Sequence, residues 1–130
     1  MTRYYLDTSV AVHALDGHPR ATEWFDQAIG ESDVVSSRLL QTELTRFLRR
    51  VALPINMRDA LLDKVTMAVL DEATMSSAEA NTEHAKTLDA IHLATAVALG
   101  SDTVIVSHDA NVLRLAAELG LRTLDPVTQS

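Results

Sequence analysis

Four acidic residues stand where carboxylates from separate parts of the chain could act together: Asp7, Glu43, Asp89 and Asp109. Asp7 ends a short apolar run, 4–6, and is followed by two hydroxyl residues. Asp109 follows another apolar run, 103–106, after two intervening residues. A carboxylate at the end of a strand is seldom needed for packing, and the chain has no cysteine. Hard oxygen ligands without thiolates suit Mg²⁺ or Mn²⁺, so the set predicts a site for a divalent cation.

These four residues should converge because of where they fall on the predicted elements. Asp7 and Asp109 sit at the exits of predicted strands, while Glu43 lies early in the helix after the second strand. Asp89 lies in the first turn of the helix before the clearest strand. In an open parallel sheet, ligands bind beyond the carboxyl ends of the strands, so all four should face one edge. Two carboxylates about 5 Å apart repel by roughly 3 kcal/mol at an effective dielectric near 20, which a bound cation would offset.

Each acid also has a purely structural interpretation. Asp7 could close a turn with the hydroxyl residues after it. Glu43 could pair with Arg46 or Arg50 on the same helix. Asp89 could favour a helix N-terminus electrostatically, and Asp109 could be an N-cap. Caps do not require this particular set of residues, and the helix that contains Asp89 is otherwise apolar, so the metal site is the better explanation of all four together.

The elements that must position these residues alternate between strands and helices. Strands are predicted at 3–6, 33–37, 103–106 and 121–124, with a weak strand near 70–75. Helices are predicted at 9–16, from Pro19 to Gly30, and from Leu39 to Val51 before Pro54. A fourth helix, capped by Asn56, is predicted from the apolar residues Ala60, Leu61, Val65, Ala68 and Val69. Further helices are predicted from Ser76 or Ser77 to Lys86, at 88–99, and at 110–119 before Gly120. This alternation predicts parallel pairing and right-handed crossovers. The expected fold class is α/β, a three-layer α/β/α sandwich with a mostly parallel sheet of four to five strands.

Length and composition fit one domain covering residues 1–130, with an apolar fraction of 47%. The absence of cysteine suits a reducing cytoplasm, and no segment has the length to span a bilayer or the pattern of a signal peptide. The net charge of −7, from 18 acidic residues against 11 Lys and Arg, argues against non-specific duplex binding. One basic cluster stands out: Arg38, Arg46, Arg49 and Arg50. It is either a solvated helix face or an edge that steers phosphates or meets an acidic partner.

Four short segments together resemble the PIN-domain family, and within it the VapC-type toxins of toxin–antitoxin pairs. The segments are Tyr5-Leu6-Asp7-Thr8-Ser9-Val10, Thr42-Glu43-Leu44, Asp89-Ala90-Ile91-His92-Leu93-Ala94-Thr95-Ala96 and Val104-Ile105-Val106-Ser107-His108-Asp109. The resemblance covers essentially the whole chain in the family's order, and the Asp89 helix is its most specific part. Ser107 stands where the family often has threonine, which keeps the hydroxyl.

The resemblance implies a Mg²⁺- or Mn²⁺-dependent endoribonuclease that is blocked by a small cognate VapB-type antitoxin and forms a homodimer. It places the acidic metal pocket at Asp7, Glu43, Asp89 and Asp109, with Thr8 and Ser107 as flanking hydroxyls. No membrane association and no direct sequence-specific DNA binding are expected. His92 lies three residues after Asp89 on the same helix face, where a hydrogen-bonded neighbour of the site is favoured over a metal ligand.

Two other functions compete with the nuclease. A catalytically silent interaction domain could keep the fold without the chemistry, although the intact acids argue against it. A phosphotransfer domain with Asp7 as nucleophile would usually need a second acid two residues on, where Ser9 stands, and a receiver domain would need paired acids and a late lysine.

Overall fold

A five-stranded parallel sheet forms the centre of the computed structural model, which describes residues 2–79 and 87–128. Its strands are β1 (Arg3–Leu6), β2 (Asp33–Ser37), β3 (Thr66–Ala68), β4 (Thr103–Val106) and β5 (Arg122–Leu124). Their order across the sheet is β3-β2-β1-β4-β5, and every neighbouring pair is parallel. The chain builds outward from β1 in one direction and then crosses to its other side. The switch point, where ligands bind in such sheets, therefore lies between β1 and β4.

Seven helices are described around the sheet: α1 (Thr8–Leu15), α2 (Pro19–Glu31), α3 (Arg38–Arg50), α4 (Met57–Leu62), α5 (Glu72–Glu79), α6 (Thr87–Leu99) and α7 (Ala110–Glu118). Pro19 occupies the first position of α2, where its missing N–H costs nothing. Gly17 and Gly120 follow α1 and α7 with φ of 82° at each, a left-handed conformation that favours glycine. The predicted stops at these two glycines are confirmed.

Alternate residues of the strands enter two separate cores, one on each face of the sheet. Leu6, Val34 and Val106 pack with α1, α2 and α3, through residues such as Val10, Phe25 and Leu44. Tyr5 and Ile105, one position earlier on their strands, pack with α6 and α7. Two buried faces require strands that are apolar on both sides, as β1 and β4 are. The three-layer α/β/α class predicted above is confirmed.

The segment between α3 and α6 differs from the prediction. The expected fourth helix ends at Leu62 and does not continue to Val69. Val65 is buried in the connection after the helix, and Thr66–Ala68 form strand β3. β3 pairs with Val35–Ser37, so strand pairing overrides the helical spacing of these apolar residues. The weak strand near 70–75 is wrong, because Glu72 begins α5 there. Asn56 occupies the N-cap position of α4 without a side-chain capping hydrogen bond.

The polar helix expected from residue 76 or 77 to 86 begins earlier than predicted, at Glu72, and its predicted continuation over 80–86 lies outside the described residues. The apolar helix expected at 88–99 is confirmed as α6, with seven consecutive buried residues from Ala90 to Ala96. Within 2–79 and 87–128, no helix has the length and apolar character needed to cross a membrane.

Candidate metal and nuclease site

Asp7 lies at the switch point of the sheet, directly after β1. Its N–H donates to the Val106 carbonyl at 2.9 Å, which continues the β1–β4 ladder by one residue. The side chain is almost fully buried, and its Oδ2 accepts hydrogen bonds from Ser9 Oγ at 2.7 Å and Ser107 Oγ at 2.8 Å. Two hydroxyl donors thus orient the carboxylate. Of the turn offered as the alternative explanation of Asp7, only the hydrogen bond from Ser9 is present: residues 8–15 are helical, and the Asp7 side chain makes no capping hydrogen bond to the backbone of α1.

Asp109 joins the same network through Ser107, whose Oγ accepts from the Asp109 N–H at 3.0 Å. The Oδ1 atom of Asp109 accepts from the N–H groups of Asn111 and Val112 at 2.9 and 3.2 Å, so Asp109 is the N-cap of α7. The capping alternative is therefore confirmed. It uses one carboxylate oxygen and leaves Oδ2 without a hydrogen bond to any described residue, so a cap and a metal ligand are compatible here.

Glu43 lies in the second turn of α3 and is held from two sides. His92 Nε2 is 2.7 Å from Glu43 Oε1, and Thr8 Oγ1 donates to the same oxygen at 2.6 Å. Burial alone would raise the pKa of Glu43, but the hydrogen bonds from His92 and Thr8 outweigh it and lower the pKa below its usual value. Glu43 is therefore ionised at neutral pH. The alternative of an ion pair with an arginine is not seen, since within the described residues its salt-bridge partner is His92.

His92 connects this carboxylate to the buried centre of the sheet. It is 1% exposed, and its Nδ1 is 2.6 Å from the Tyr5 hydroxyl. An ionised carboxylate can only accept a hydrogen bond, so the Nε2 that faces Glu43 carries a proton. Burial raises the pKa of Tyr5 to about 12, which keeps its hydroxyl neutral. Both nitrogens of His92 are thus occupied, which supports its role as a hydrogen-bonded neighbour of the site over that of a metal ligand.

Asp89, in the first turn of α6, links the four acids electrostatically. Its pKa is raised, first by burial and then by the negative charges of Asp7 and Asp109, with a smaller contribution from Glu43. His92 opposes the shift. Asp7 is linked to Asp109 through Ser107 and approaches Glu43 through His92, and Asp89 lies one turn before His92 on α6, so the four acids lie near the same edge of the sheet. Their roles in binding or catalysis remain predictions.

Two residues of this network were not predicted from the sequence. Ser9 donates to Asp7, accepts from the His108 N–H at 2.9 Å and lies 3.2 Å from Ser107 Oγ, so it bridges β1 and β4. Its position two residues after Asp7, within the first turn of α1, was the available signal. Tyr5 alternates with Leu6 and so faces the α6 side of the sheet; only its tertiary contact with His92 identifies its role.

The oxygen atoms of this pocket suit a hydrated Mg²⁺ or Mn²⁺ ion. Among the described side chains, no three carboxylate or imidazole groups are close enough to form a complete ligand set. Mg²⁺ does not need one, because it usually keeps several waters and is held by one or two carboxylates plus substrate phosphate. Asp7 Oδ1 and Asp109 Oδ2 accept no hydrogen bond from the described residues, and together with Asp89 they are the side chains that fit this role.

Comparisons with known proteins agree with this architecture. The family described as PIN domain matches residues 4–118. A chain in a toxin–antitoxin complex from Klebsiella pneumoniae has a TM-score of 0.75 at 17% identity, with 95% of this chain and 97% of that chain covered. DNA-bound VapBC from Salmonella typhimurium gives 0.75 at 14% identity, with 96% and 98% covered. VapBC-1 from nontypeable Haemophilus influenzae gives 0.71 at 17% identity, with 95% and 97% covered.

A search of curated proteins found no match. The structural neighbours, all below 25% identity, show the shared fold, and the family match extends from β1 to the end of α7. The chain therefore belongs to the PIN-domain family.

Proposed function

We propose that this protein is a Mg²⁺- or Mn²⁺-dependent endoribonuclease and the toxin of a VapBC-type pair. The observation that carries the proposal is the network at the ends of β1 and β4, in which Ser107 links Asp7 to Asp109, His92 lies between Asp7 and Glu43, and Asp89 is one helical turn from His92. A pocket this negative repels RNA unless a cation enters it. The cost of keeping such carboxylates together is explained if the pocket binds a divalent cation and a phosphate together.

Each acid receives a role that its surroundings favour. One or two of Asp7, Asp89 and Asp109 would bind the ion directly and the rest through its waters, and the bound ion would supply positive charge for the scissile phosphate and an activated water. Glu43 is ionised and fixed by His92 and Thr8, so it is suited to orient the attacking water or the ion's hydration shell. In-line attack by water on the phosphate leaves a 5′-phosphate on one product and a 3′-hydroxyl on the other.

The toxin assignment is supported by the structural neighbours. They are chains of a toxin–antitoxin complex and of two VapBC complexes, one of which is bound to DNA. As a VapC-type toxin, this chain would act in the cytoplasm as a homodimer, and a VapB-type antitoxin would neutralise it. Growth arrest on expression of the chain, relieved by a small neighbouring gene encoding a DNA-binding protein, would support this assignment. Arrest that no neighbouring gene relieves would count against the antitoxin while leaving the nuclease intact.

The nuclease itself is tested by replacing Asp7 with Asn. This change keeps the size of the side chain and removes its charge. Mutating residues that only hydrogen-bond to metal ligands lowers activity by up to about 100-fold, so loss of a ligand should lower RNA cleavage in Mg²⁺ by at least that factor. Asp26→Asn is the matched control, because Asp26 is exposed and lies on α2, a helix that carries none of the four acids. Cleavage by purified Asp7→Asn at the wild-type rate would refute the assignment.

Metal binding has an independent readout in thermal stability. An ion that binds only the folded protein raises its melting temperature with concentration. Titration with Mg²⁺ or Mn²⁺ should therefore shift the melting temperature of the wild-type protein and of Asp26→Asn, and shift that of Asp7→Asn much less. If neither ion shifts the wild-type melting temperature, the chain is better described as a silent interaction domain.

A further inference from the structure

Three histidines from separate parts of the chain meet beside the acidic pocket without belonging to it. His13 lies on α1, His18 is the N-cap of α2, and His108 lies two residues after β4. The ring centres of His13 and His108 are 5.0 Å apart, and those of His13 and His18 are 5.5 Å apart. All three residues are partly exposed. An ion from solvent can therefore reach these imidazoles.

One nitrogen of the His108 ring is held by a carboxylate. His108 Nδ1 lies 3.0 Å from Asp125 Oδ2. Asp125 is fixed in turn by the Val127 N–H at 3.0 Å and the Thr128 hydroxyl at 2.9 Å. An ionised carboxylate only accepts hydrogen bonds, so Nδ1 carries the proton and Nε2 of the neutral ring has a lone pair. Histidines that bind a metal usually have their other nitrogen on a carboxylate or a backbone carbonyl, as His108 has.

The His13 ring is oriented in the same way by a backbone carbonyl. Its Nδ1 is 2.7 Å from the carbonyl oxygen of Ser9, one helical turn earlier, so Nδ1 donates and Nε2 again has the lone pair. Ser9 also fixes the backbone of His108, because its Oγ accepts from the His108 N–H at 2.9 Å. The two rings are thus positioned by the protein itself, before any ion binds.

The spacing and the tautomers of this pair suit Zn²⁺. Imidazole nitrogen is a preferred ligand of Zn²⁺, whereas Mg²⁺ prefers oxygen. With Zn–N bonds of about 2.0–2.1 Å and tetrahedral angles, two imidazoles on one ion have ring centres about 5 Å apart, as His13 and His108 do. Within 2–79 and 87–128, no three histidine or acidic side chains are close enough to form a complete ligand set, which leaves the other positions of the ion to water.

We propose that His13 and His108 bind a Zn²⁺ ion at a second site, separate from the acidic pocket, with Asp125 orienting His108. The bound ion joins α1 to the segment after β4 and so stabilises the folded protein. A net charge of −7 favours the approach of a cation. The site does not depend on the proposed nuclease function, because its ligands are imidazoles and those of the pocket are carboxylates.

Zn²⁺ binding is measured by competition with a fluorescent zinc indicator, in excess Mg²⁺ so that the acidic pocket is supplied with its own ion. The wild-type protein should bind Zn²⁺ and melt at a higher temperature in its presence. Loss of a residue that only supports a metal ligand weakens affinity about 10–100-fold, so His13→Gln and His108→Gln should each weaken Zn²⁺ binding at least tenfold. Asp125→Asn should weaken it about tenfold.

His18 provides the matched control, because its ring is next to that of His13 but has no nitrogen to offer. Its Nδ1 accepts from the Ala21 N–H at 3.4 Å, so the proton of the neutral ring is on Nε2. His18→Asn can still cap α2 and should change the Zn²⁺ affinity by less than about twofold. Melting in EDTA shows whether each variant is folded, and Asp125→Asn tests the site even if a variant of His13 does not fold.

The outcomes separate this site from its alternatives. A wild-type protein that neither binds Zn²⁺ nor melts higher in its presence would overturn the proposal and leave the three rings as a packing cluster. Equal losses in His18→Asn and His13→Gln would also overturn it. Loss of Zn²⁺ binding in Asp89→Asn, with none in His13→Gln or His108→Gln, would assign the ion to the acidic pocket instead. Zn²⁺ binding that requires the two histidines, in a protein that never cleaves RNA, would support the site while refuting the nuclease.

Discussion

The two halves of the acidic pocket are built by different means. Asp7 and Asp109 lie where β1 and β4 end, and neutral hydroxyls of Ser9 and Ser107 together with backbone N–H groups fix them. Glu43 lies on a helix, and a buried imidazole with a tyrosine behind it fixes that side chain. The halves approach each other where Thr8, next to Asp7, donates to Glu43 at 2.6 Å and where His92 Nε2 lies 3.9 Å from Asp7 Oδ1.

This difference follows from how each half is supported. The ends of adjacent parallel strands are already held by the backbone ladder, so short serine side chains suffice to orient the carboxylates there. Helix α3 lies across the sheet from α6, and a long side chain is needed to span the space to Glu43. The strand-end half should therefore tolerate changes in its hydroxyls better than the helical half tolerates changes in His92.

The largest effect on stability is expected from His92→Leu. It leaves the Tyr5 hydroxyl without its partner at 2.6 Å and removes the main donor to Glu43, so the free energy of unfolding should fall by about 3 kcal/mol. Ser107→Ala, in the other half, should cost about 1–2 kcal/mol. Urea denaturation of both variants measures the difference, and His92→Gln, which can still donate to Glu43, should recover part of the loss. A cost for Ser107→Ala equal to or above that of His92→Leu would contradict the comparison.

Alkaline pH should weaken the helical half through Tyr5. Because burial raises the pKa of Tyr5 from 10.0 to about 12, the folded state retains the phenol proton that the unfolded state loses. That contribution is complete below pH 10 and is lost as the pH rises toward 12, by about 1.4 kcal/mol per pH unit. Unfolding measured at pH 9 and pH 11 should therefore show a steeper loss for the wild type than for Tyr5→Phe. Parallel losses in the two proteins would show that Tyr5 titrates normally.

The strand-end half can be separated into structure and chemistry at Asp109. Asp109→Ala removes the N-cap of α7 and should lower stability by about 1 kcal/mol. Asp109→Ser can still cap the helix, so it should keep most of that stability while losing the carboxylate. If Asp109 binds the ion, both variants should lose cleavage and the Mg²⁺-dependent rise in melting temperature. Retention of both properties by Asp109→Ser would restrict Asp109 to its capping role.

The smallest effect is expected at Asp89 and has the opposite sign. Its raised pKa means that ionisation at neutral pH costs the folded protein some stability; this loss develops as the pH rises through the folded-state pKa. Asp89→Asn should therefore stabilise the metal-free protein at pH 7. The gain should stay below about 1 kcal/mol, because solvent screens a half-exposed carboxylate. Melting in EDTA at pH 7 and near pH 4 measures it, and a lower melting temperature for Asp89→Asn at pH 7 would contradict the expected repulsion.

Local pattern was sufficient to predict much of this molecule. β1, β2 and β4 are short apolar runs with clear ends, and α6 is apolar over most of its length, so each appears where it was expected. The placement of the four acids near one edge of the sheet was predicted from parallel topology together with the positions of Glu43 and Asp89 early in their helices. The failures lie between α3 and α6, where the identity of β3 depends on pairing with β2 and helical spacing competes with it.

The site shows the same division. Side chains at strand ends or in first turns could be assigned from position, and His92 was assigned as a neighbour of the pocket from its spacing to Asp89. Tyr5 could not be assigned, because its neighbours in sequence are apolar and its partner lies 87 residues away. The second role of Asp109 as a helix cap was foreseen only as an alternative, since sequence does not tell which carboxylate oxygen is used.

The contact between Tyr5 and His92 has a practical consequence for genetics. It joins the middle of the central strand to the wall of the pocket. A single mutation there can therefore reduce the amount of folded protein and also release Glu43 from its fixed position. If the gene is toxic as proposed, a selection for survivors would collect such lesions beside true pocket mutants. Immunoblots of each survivor, alongside its growth phenotype, are needed to tell the two kinds apart.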